Sequence, residues 1–122
     1  AHYNIDFKYK EAVRTVKFEE YWLSILHQRP LDLVKIDVEG HEFAVLSGFG
    51  AALQATSVVQ FEFGGTNIDT RTYFQDFWYL LRQNGFDIFR ITPTGLLKIE
   101  LYRETCECFS ISNYIAVNQK TV

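Results

Sequence analysis

Leu31-Asp32-Leu33-Val34-Lys35-Ile36-Asp37-Val38-Glu39-Gly40-His41-Glu42 is the stretch that decides how this chain folds. Its first half is apolar and β-branched, the composition of a buried strand. It then ends in acids around a glycine, and the Phe43-Ala44-Val45-Leu46 that follows reads as the start of a helix. Acidic groups therefore sit where a strand turns into a helix. In open α/β sheets that carboxyl edge is where ligands bind. A plainer role stands beside this one: Glu39 and Glu42 could simply complement the positive end of the helix dipole. That role explains Asp37 and Glu39 together less well, because two carboxylates crowded at a strand end cost energy unless something uses them.

Outward from this stretch, the central strand covers about residues 33–37 and its helix residues 41–47. Gly48-Phe49-Gly50 breaks that helix, and Ala51-Ala52-Leu53 adds a further turn. On the N-terminal side, residues 1–11 are polar and aromatic without a period, and residues 13–18 alternate as a short strand. Glu19 and Glu20 open a helix with Phe18, Tyr21, Trp22, Ile25 and Leu26 on one apolar face, stopped by Arg29-Pro30. On the C-terminal side, residues 57–63 form a second apolar strand that also carries an acid at its end, Glu62, before Gly64-Gly65. Residues 66–70 read as a loop with Asp69 and Thr70 as capping residues. A strong amphipathic helix carries Tyr73, Phe74, Phe77, Trp78, Leu80 and Leu81, and Asn84-Gly85 caps its end. Residues 86–92 are a third strand, Pro93-Thr94-Gly95 a turn, residues 96–102 a hairpin arm and residues 114–117 a final strand. Two consecutive βαβ units imply parallel pairing with right-handed crossovers. The tail breaks the alternation, so its strands are expected to run antiparallel. The expected fold is a single α/β domain over residues 1–122.

A chain of 122 residues with 48% hydrophobic and 22% charged residues has enough apolar content for one modest core and too much for a disordered segment. The net charge of −3 leaves no basic footprint and argues against nucleic acid as a partner. No apolar run is long enough to span a bilayer, so no membrane partner is expected. Ala1-His2-Tyr3-Asn4 lacks the charged and apolar regions of a signal peptide. Cys106 and Cys108, one residue apart, rarely form a disulfide and alone cannot make a zinc site. They read as reduced thiols in a cytoplasmic protein. The chain starts at Ala1 and contains no methionine, which suggests a trimmed chain or a fragment.

If the two apolar strands lie side by side and parallel, Asp37 and Glu62 reach one edge, with Glu39 and His41 just past it. Gly64-Gly65 would let a ligand approach the backbone closely. Several carboxylates that close cannot all ionise cheaply, so a bound cation, a shared proton or a basic partner must compensate. Oxygen ligands favour magnesium, calcium or manganese over zinc. In the alternative, Asp37 caps the following helix and Glu62 faces solvent. His41 is a proton acceptor, a ligand or a surface residue of a first helical turn. Lys35 either extends toward an acid or points outward. There is no G-x-S-x-G and no phosphate loop. Gly48-Phe49-Gly50 follows a helix, whereas a dinucleotide loop follows a strand.

Lys35-Ile36-Asp37-Val38-Glu39-Gly40-His41-Glu42, with Val45-Leu46-Ser47-Gly48 after it, resembles the signature of FkbM-type methyltransferases. The likeness continues through residues 58–62, the helix ending at Gly85-Phe86 and the strand at 114–117. It covers about residues 31–117, and residues 13–28 resemble the segment before it. The family consists of class I enzymes that use S-adenosylmethionine, mostly to methylate hydroxyls of sugars and natural products. The resemblance implies a partial Rossmann-like methyltransferase sheet, with parallel strands joined by crossover helices. Its strands would be the fourth to seventh of a seven-stranded sheet, the seventh inserted antiparallel. It also implies catalytic roles for Asp37, Glu39 and His41, cofactor contacts from Asp37 and Val38, and a small-molecule or glycan acceptor. The central strand is similar, too, to that of catechol-type O-methyltransferases, whose aspartate holds magnesium with a second acid at the end of the next strand. Asp37 and Glu62 match those places, which implies Mg2+ as a further cofactor. The family's first three strands, its glycine-rich turn and the acid after its second strand have no counterpart here. The chain therefore reads as a C-terminal portion without the glycine-rich cofactor-binding half. An exposed sheet edge is then expected, covered by a homodimer or a domain swap. Two other readings stand beside the enzyme: a non-catalytic interaction module derived from such a half-domain, and a cation-dependent hydrolase using Asp37, Glu39 and Glu62.

Overall fold

A computed structural model describes residues 8–121, so the reading of residues 1–4 lies outside it. Five strands make one sheet in the order β1-β2-β5-β3-β4. They are β1 (Leu31–Ile36), β2 (Thr56–Phe63), β3 (Phe86–Thr92), β4 (Gly95–Lys98) and β5 (Ser112–Asn118). β1 and β2 run parallel, from Leu31 opposite Thr56 to Ile36 opposite Phe61. Between them the chain passes through helix α2 (Glu42–Ser47) and a 3-10 turn over Gly50–Ala55. β5 lies antiparallel between β2 and β3, and β3 and β4 form an antiparallel hairpin. The tail strands therefore run as their lack of an intervening helix predicts. The second parallel pairing does not form: β2 and β3 point the same way but touch only through β5.

The core is built on alternate residues of these strands. Ile36, Phe61, Phe63, Tyr114 and Ile88 are buried, while Lys35, Gln60 and Glu62, one step away in the pleat, belong to the other face. Helix α4 (Phe74–Gln83) lays Phe74, Phe77 and Leu81 on the buried face, with the Phe77 ring stacked on Phe61 at 4.9 Å. Phe43 of α2 meets the Phe77 ring edge-on at 5.4 Å, which fixes α2 beside α4. Each such aromatic, fully buried, contributes about 2–3 kcal/mol of transfer free energy. The start of α4 is capped from a distance. The Glu107 carboxylate accepts from Phe74 N at 2.8 Å, Gln75 N at 2.9 Å and the Tyr102 hydroxyl at 2.8 Å. Burial, helped by Glu107, pushes the Tyr102 phenol up to about 12. Cys106 and Cys108, on either side of Glu107, are free and half-buried.

Four local expectations change. Residues 13–17 form no strand, and Val13 and Val16 are exposed, because alternation without a neighbouring strand leaves backbone groups unpaired. The first helix, α1 (Phe18–Ser24), is shorter than its apolar spacing suggests. Trp22 is buried and its indole N–H donates to Arg29 O at 2.8 Å, but Tyr21 and Ile25 are exposed. His27 and Gln28 take positive φ angles and end the element. Residues 66–70 are not a loop but a short helix, α3 (Thr66–Thr70). It is held by buried Asn67, whose Oδ1 accepts from Gly64 N at 2.9 Å and whose Nδ2 donates to Thr72 Oγ1 at 2.9 Å. The hairpin arm is β4, which stops at Lys98 rather than reaching Tyr102.

β1 pairs only with β2, so among the described residues its other edge carries no strand, and Leu33 is 62% exposed. No helix of the described residues is long and apolar enough to cross a membrane.

Candidate active site

The parallel register of β1 and β2 decides where the acids go. Ile36 faces Phe61, so Asp37 and Glu62 follow side by side at the carboxyl end of the two strands, on the pleat face opposite the buried phenylalanines. Lys35, two residues before Asp37, shares that face, and its Nζ donates to Asp37 Oδ2 at 3.3 Å. Both side chains are more than half exposed, so this ion pair is worth well under about 1 kcal/mol. Glu62 is more enclosed. Burial pushes its carboxyl above the ordinary 4.5, and the negative charges of Asp37, Glu39 and Glu42 push it further, against a smaller opposing pull from Lys35. The edge is therefore an acid cluster with little internal cation to balance it.

That upward shift has a defined sign in stability. Between the unfolded value and the raised folded value, the native state holds more protons than the unfolded chain, so stability falls as pH rises through that window. Glu62→Gln is accordingly expected to raise the melting temperature at pH 7 by about 1–3 °C, a gain that fades below pH 4.5, where wild-type Glu62 is protonated in both states. Calorimetric scans at pH 7 and pH 4 check this, and a variant less stable than wild type at pH 7 would contradict it.

The loop after β1 is folded by its own glutamate. Glu42, at the first position of α2, is 1% exposed, and its Oε1 accepts from Val38 N at 3.0 Å and Gly40 N at 3.2 Å. Glu42 Oε2 is buried and has no hydrogen-bond partner among the described residues. Glu39 sits between the two bonded amides with φ +54°, a left-handed conformation that costs a non-glycine residue about 1–2 kcal/mol. Gly40 follows with φ +98°, and a Cβ there would lie 2.7 Å from Thr66 O. Thr70 Oγ1 donates to Gly40 O at 2.8 Å, tying the loop to α3. Sequence reasoning placed Glu42 as a dipole complement and did not anticipate these bonds. A glutamate at the start of a helix, two residues after a glycine, was the available signal.

Gly64 likewise serves packing. A Cβ on it would meet Ile111 Cα at 2.9 Å, so the expected close approach at Gly64-Gly65 is made by the chain's own segment before β5 rather than left open to a ligand.

Grooves open on both sides of α2. One, of about 700 Å³, is walled by Phe18, Val38, Val45 and Gly48 and touches His41. A smaller one, of about 330 Å³, shares Phe18, Val38 and Val45 and adds Lys35 and Asp37. A third, of about 450 Å³, lies on the far side of His41, toward α3. The structure thus joins Asp37 to Glu62 through the sheet and to Val38 through a groove. It sets His41 apart from both acids, on the two grooves that flank α2.

The donor set does not complete a divalent-ion site. Asp37 is engaged by Lys35, and no group of three or more His, Cys, Asp or Glu among the described residues is placed to hold a metal ion.

A family model described as "Methyltransferase FkbM domain" matches residues 2–88 of the chain. No curated protein and no solved structure matches it.

Proposed function

Because the chain belongs to the FkbM methyltransferase domain family, we propose that it is the C-terminal portion of an S-adenosylmethionine-dependent methyltransferase that methylates a hydroxyl of a sugar or natural product. The observation that carries this reading is the sheet order. Parallel β1 and β2 end side by side in acids, and antiparallel β5 is inserted before β3. This supports a partial Rossmann-like sheet made of the fourth, fifth, seventh and sixth strands that the resemblance implies.

The residues fit the cofactor. S-adenosylmethionine, when bound, supplies a methyl group on a positively charged sulfur, and an acid cluster that raises Glu62 is complementary to such a cation. Phe18, Val38 and Val45 provide an apolar wall next to Asp37. Asp37, from the end of a rigid strand, orients the acceptor hydroxyl and takes its proton as the oxygen gains the methyl group. Glu39 and Glu62 keep the local field negative, and His41 contacts the acceptor from the N-cap of α2. The residues do not fit a resident magnesium ion, and no step passes through one. A cytoplasmic setting, read from the reduced thiols, goes with this function.

Isothermal titration of the full-length enzyme, including the glycine-rich half that this portion lacks, with S-adenosylhomocysteine tests the proposal; the portion alone is expected to be inactive. Binding is expected with Kd on the order of 10 µM, weakened more than about tenfold by Val38→Trp, which fills the groove. Absence of binding would sink the enzyme and favour a non-catalytic interaction module. The observation on that side is the edge of β1, which pairs with no strand among the described residues and carries exposed Leu33; it suits a homodimer or domain swap.

A further inference from the structure

The segment before β5 carries two thiols on one tight turn. A 3-10 turn over Glu104–Cys106 leads into Glu107 with φ −73° and ψ +60°, and Cys108 N donates to Cys106 O at 2.8 Å. These are the torsions and the bond of an inverse γ-turn, closed between residues two apart. In an extended chain two such Cα atoms stand about 6.6–7.2 Å apart, at or beyond the reach of a disulfide. The turn draws them inside the usual window of about 4.4–6.8 Å. The spacing that argues against a bridge in an extended segment therefore does not do so here.

Glu107 fixes the turn at its apex. Its carboxylate is held by Phe74 N, Gln75 N and the Tyr102 hydroxyl, so the backbone on either side keeps its shape. The two sulfurs differ in setting. Cys106 packs against the hydrophobic core. Cys108 lies by Ser110 and Arg90, and Arg90 Nη2 also donates to Ser112 Oγ at 2.7 Å. Hydrogen bonds from the backbone and then the hydroxyl of Ser110, with the Arg90 guanidinium beside them, hold the Cys108 thiol below its ordinary 9.0, against the upward push of burial. Both thiols are half-buried, which leaves each open to a small reagent.

We infer that Cys106 and Cys108 form a redox modification site, in which a hydroperoxide oxidises the pair to a disulfide within the turn, Cys108 attacking and Cys106 resolving. The Cys108 thiolate attacks the outer peroxide oxygen. An S–O bond forms, the O–O bond breaks, and the departing oxygen takes up a proton. The Cys106 sulfur then displaces the hydroxyl from the sulfenic acid so made. An S–S bond forms, the S–O bond breaks, and water leaves with the Cys106 proton. The two thiols lose two electrons and the peroxide gains them.

The test treats the reduced full-length protein with a few equivalents of hydrogen peroxide and blocks the remaining thiols with N-ethylmaleimide. It then maps the tryptic peptide of residues 104–120, which contains both cysteines. That peptide is expected to lose two hydrogens, take up no maleimide and regain both thiols with dithiothreitol. Cys106→Ser is expected to stop at a sulfenic acid on Cys108 that dimedone traps. Cys108→Ser is expected to leave Cys106 at least about tenfold slower to oxidise than the wild-type pair. A wild-type peptide that keeps both thiols, carries a sulfinic acid or is cross-linked to another cysteine would overturn the inference. So would a Cys108→Ser variant oxidised as fast as wild type. The wild-type map decides the bond, and the two variants decide which sulfur attacks.

Discussion

Asp37→Asn in the full-length enzyme is expected to lower turnover by about 10²–10⁴ while leaving the fold intact. The carboxylate is half exposed and bonded only weakly to Lys35, so its removal costs less than about 1 kcal/mol of stability. Asparagine keeps an oxygen acceptor of the same shape but cannot take a proton from a hydroxyl at neutral pH. S-adenosylhomocysteine affinity should therefore change by less than about tenfold, the value of one hydrogen bond. Measured together, methyl transfer from labelled S-adenosylmethionine to a glycoside acceptor and the melting temperature separate a chemical role from a structural one. Unchanged turnover would remove Asp37 from the chemistry and, with it, the acid pair from the proposed mechanism.

Glu42→Ala is expected to be the most destabilising change at the site. It strips the acceptor from Val38 N and Gly40 N, and the latter bond is buried. Two charge-assisted bonds lost, with amides left unsatisfied, amount to about 3 kcal/mol, or roughly 10 °C in melting temperature for a chain of this size. Glu42→Gln keeps one oxygen where Oε1 stands but puts an amide where Oε2 is buried without a partner, so it should recover only part of the loss. The same loop carries Glu39 and positions His41, so Glu42→Ala should also weaken S-adenosylhomocysteine binding. A melting shift of less than about 3 °C would mean that the loop keeps its shape without this glutamate.

The strands were legible wherever apolar and β-branched residues dominate a short run, as in residues 33–37, 57–63 and 86–92. Helix α4 was legible because Phe74, Phe77 and Leu81 recur at the spacing of one face. The failures come from partners far away in sequence. Residues 13–18 have the alternation of a strand, but among the described residues no strand lies beside them. Residues 66–70 have the polarity of a loop and are helical because Asn67 bonds to Gly64 and Thr72. Spacing alone could not reveal that β5 would separate β2 from β3, since that order depends on pairings more than 50 residues apart, such as Val58 with Val117. At the site, the neighbourhood of Asp37 and Glu62 could be read because each stands at the end of its own strand. The bonds of Glu42 could not, because their donors are backbone amides that every residue except proline presents. Nor could the contacts of Gly40 with Thr66 and of Gly64 with Ile111, which exist only after folding.

The seating of β5 also governs the chain's birth. Of the strands described, it leaves the ribosome last, yet it supplies the hydrogen bonds between β2 and β3 and buries Asn118 against Thr56 O at 2.9 Å. Until it emerges, β2 and the β3–β4 hairpin are two unjoined pieces with apolar faces bare, reliant on chaperones rather than on each other. A message cut short before Ser112 would thus yield a product fit only for proteolysis, although every acid proposed for the chemistry had already been translated.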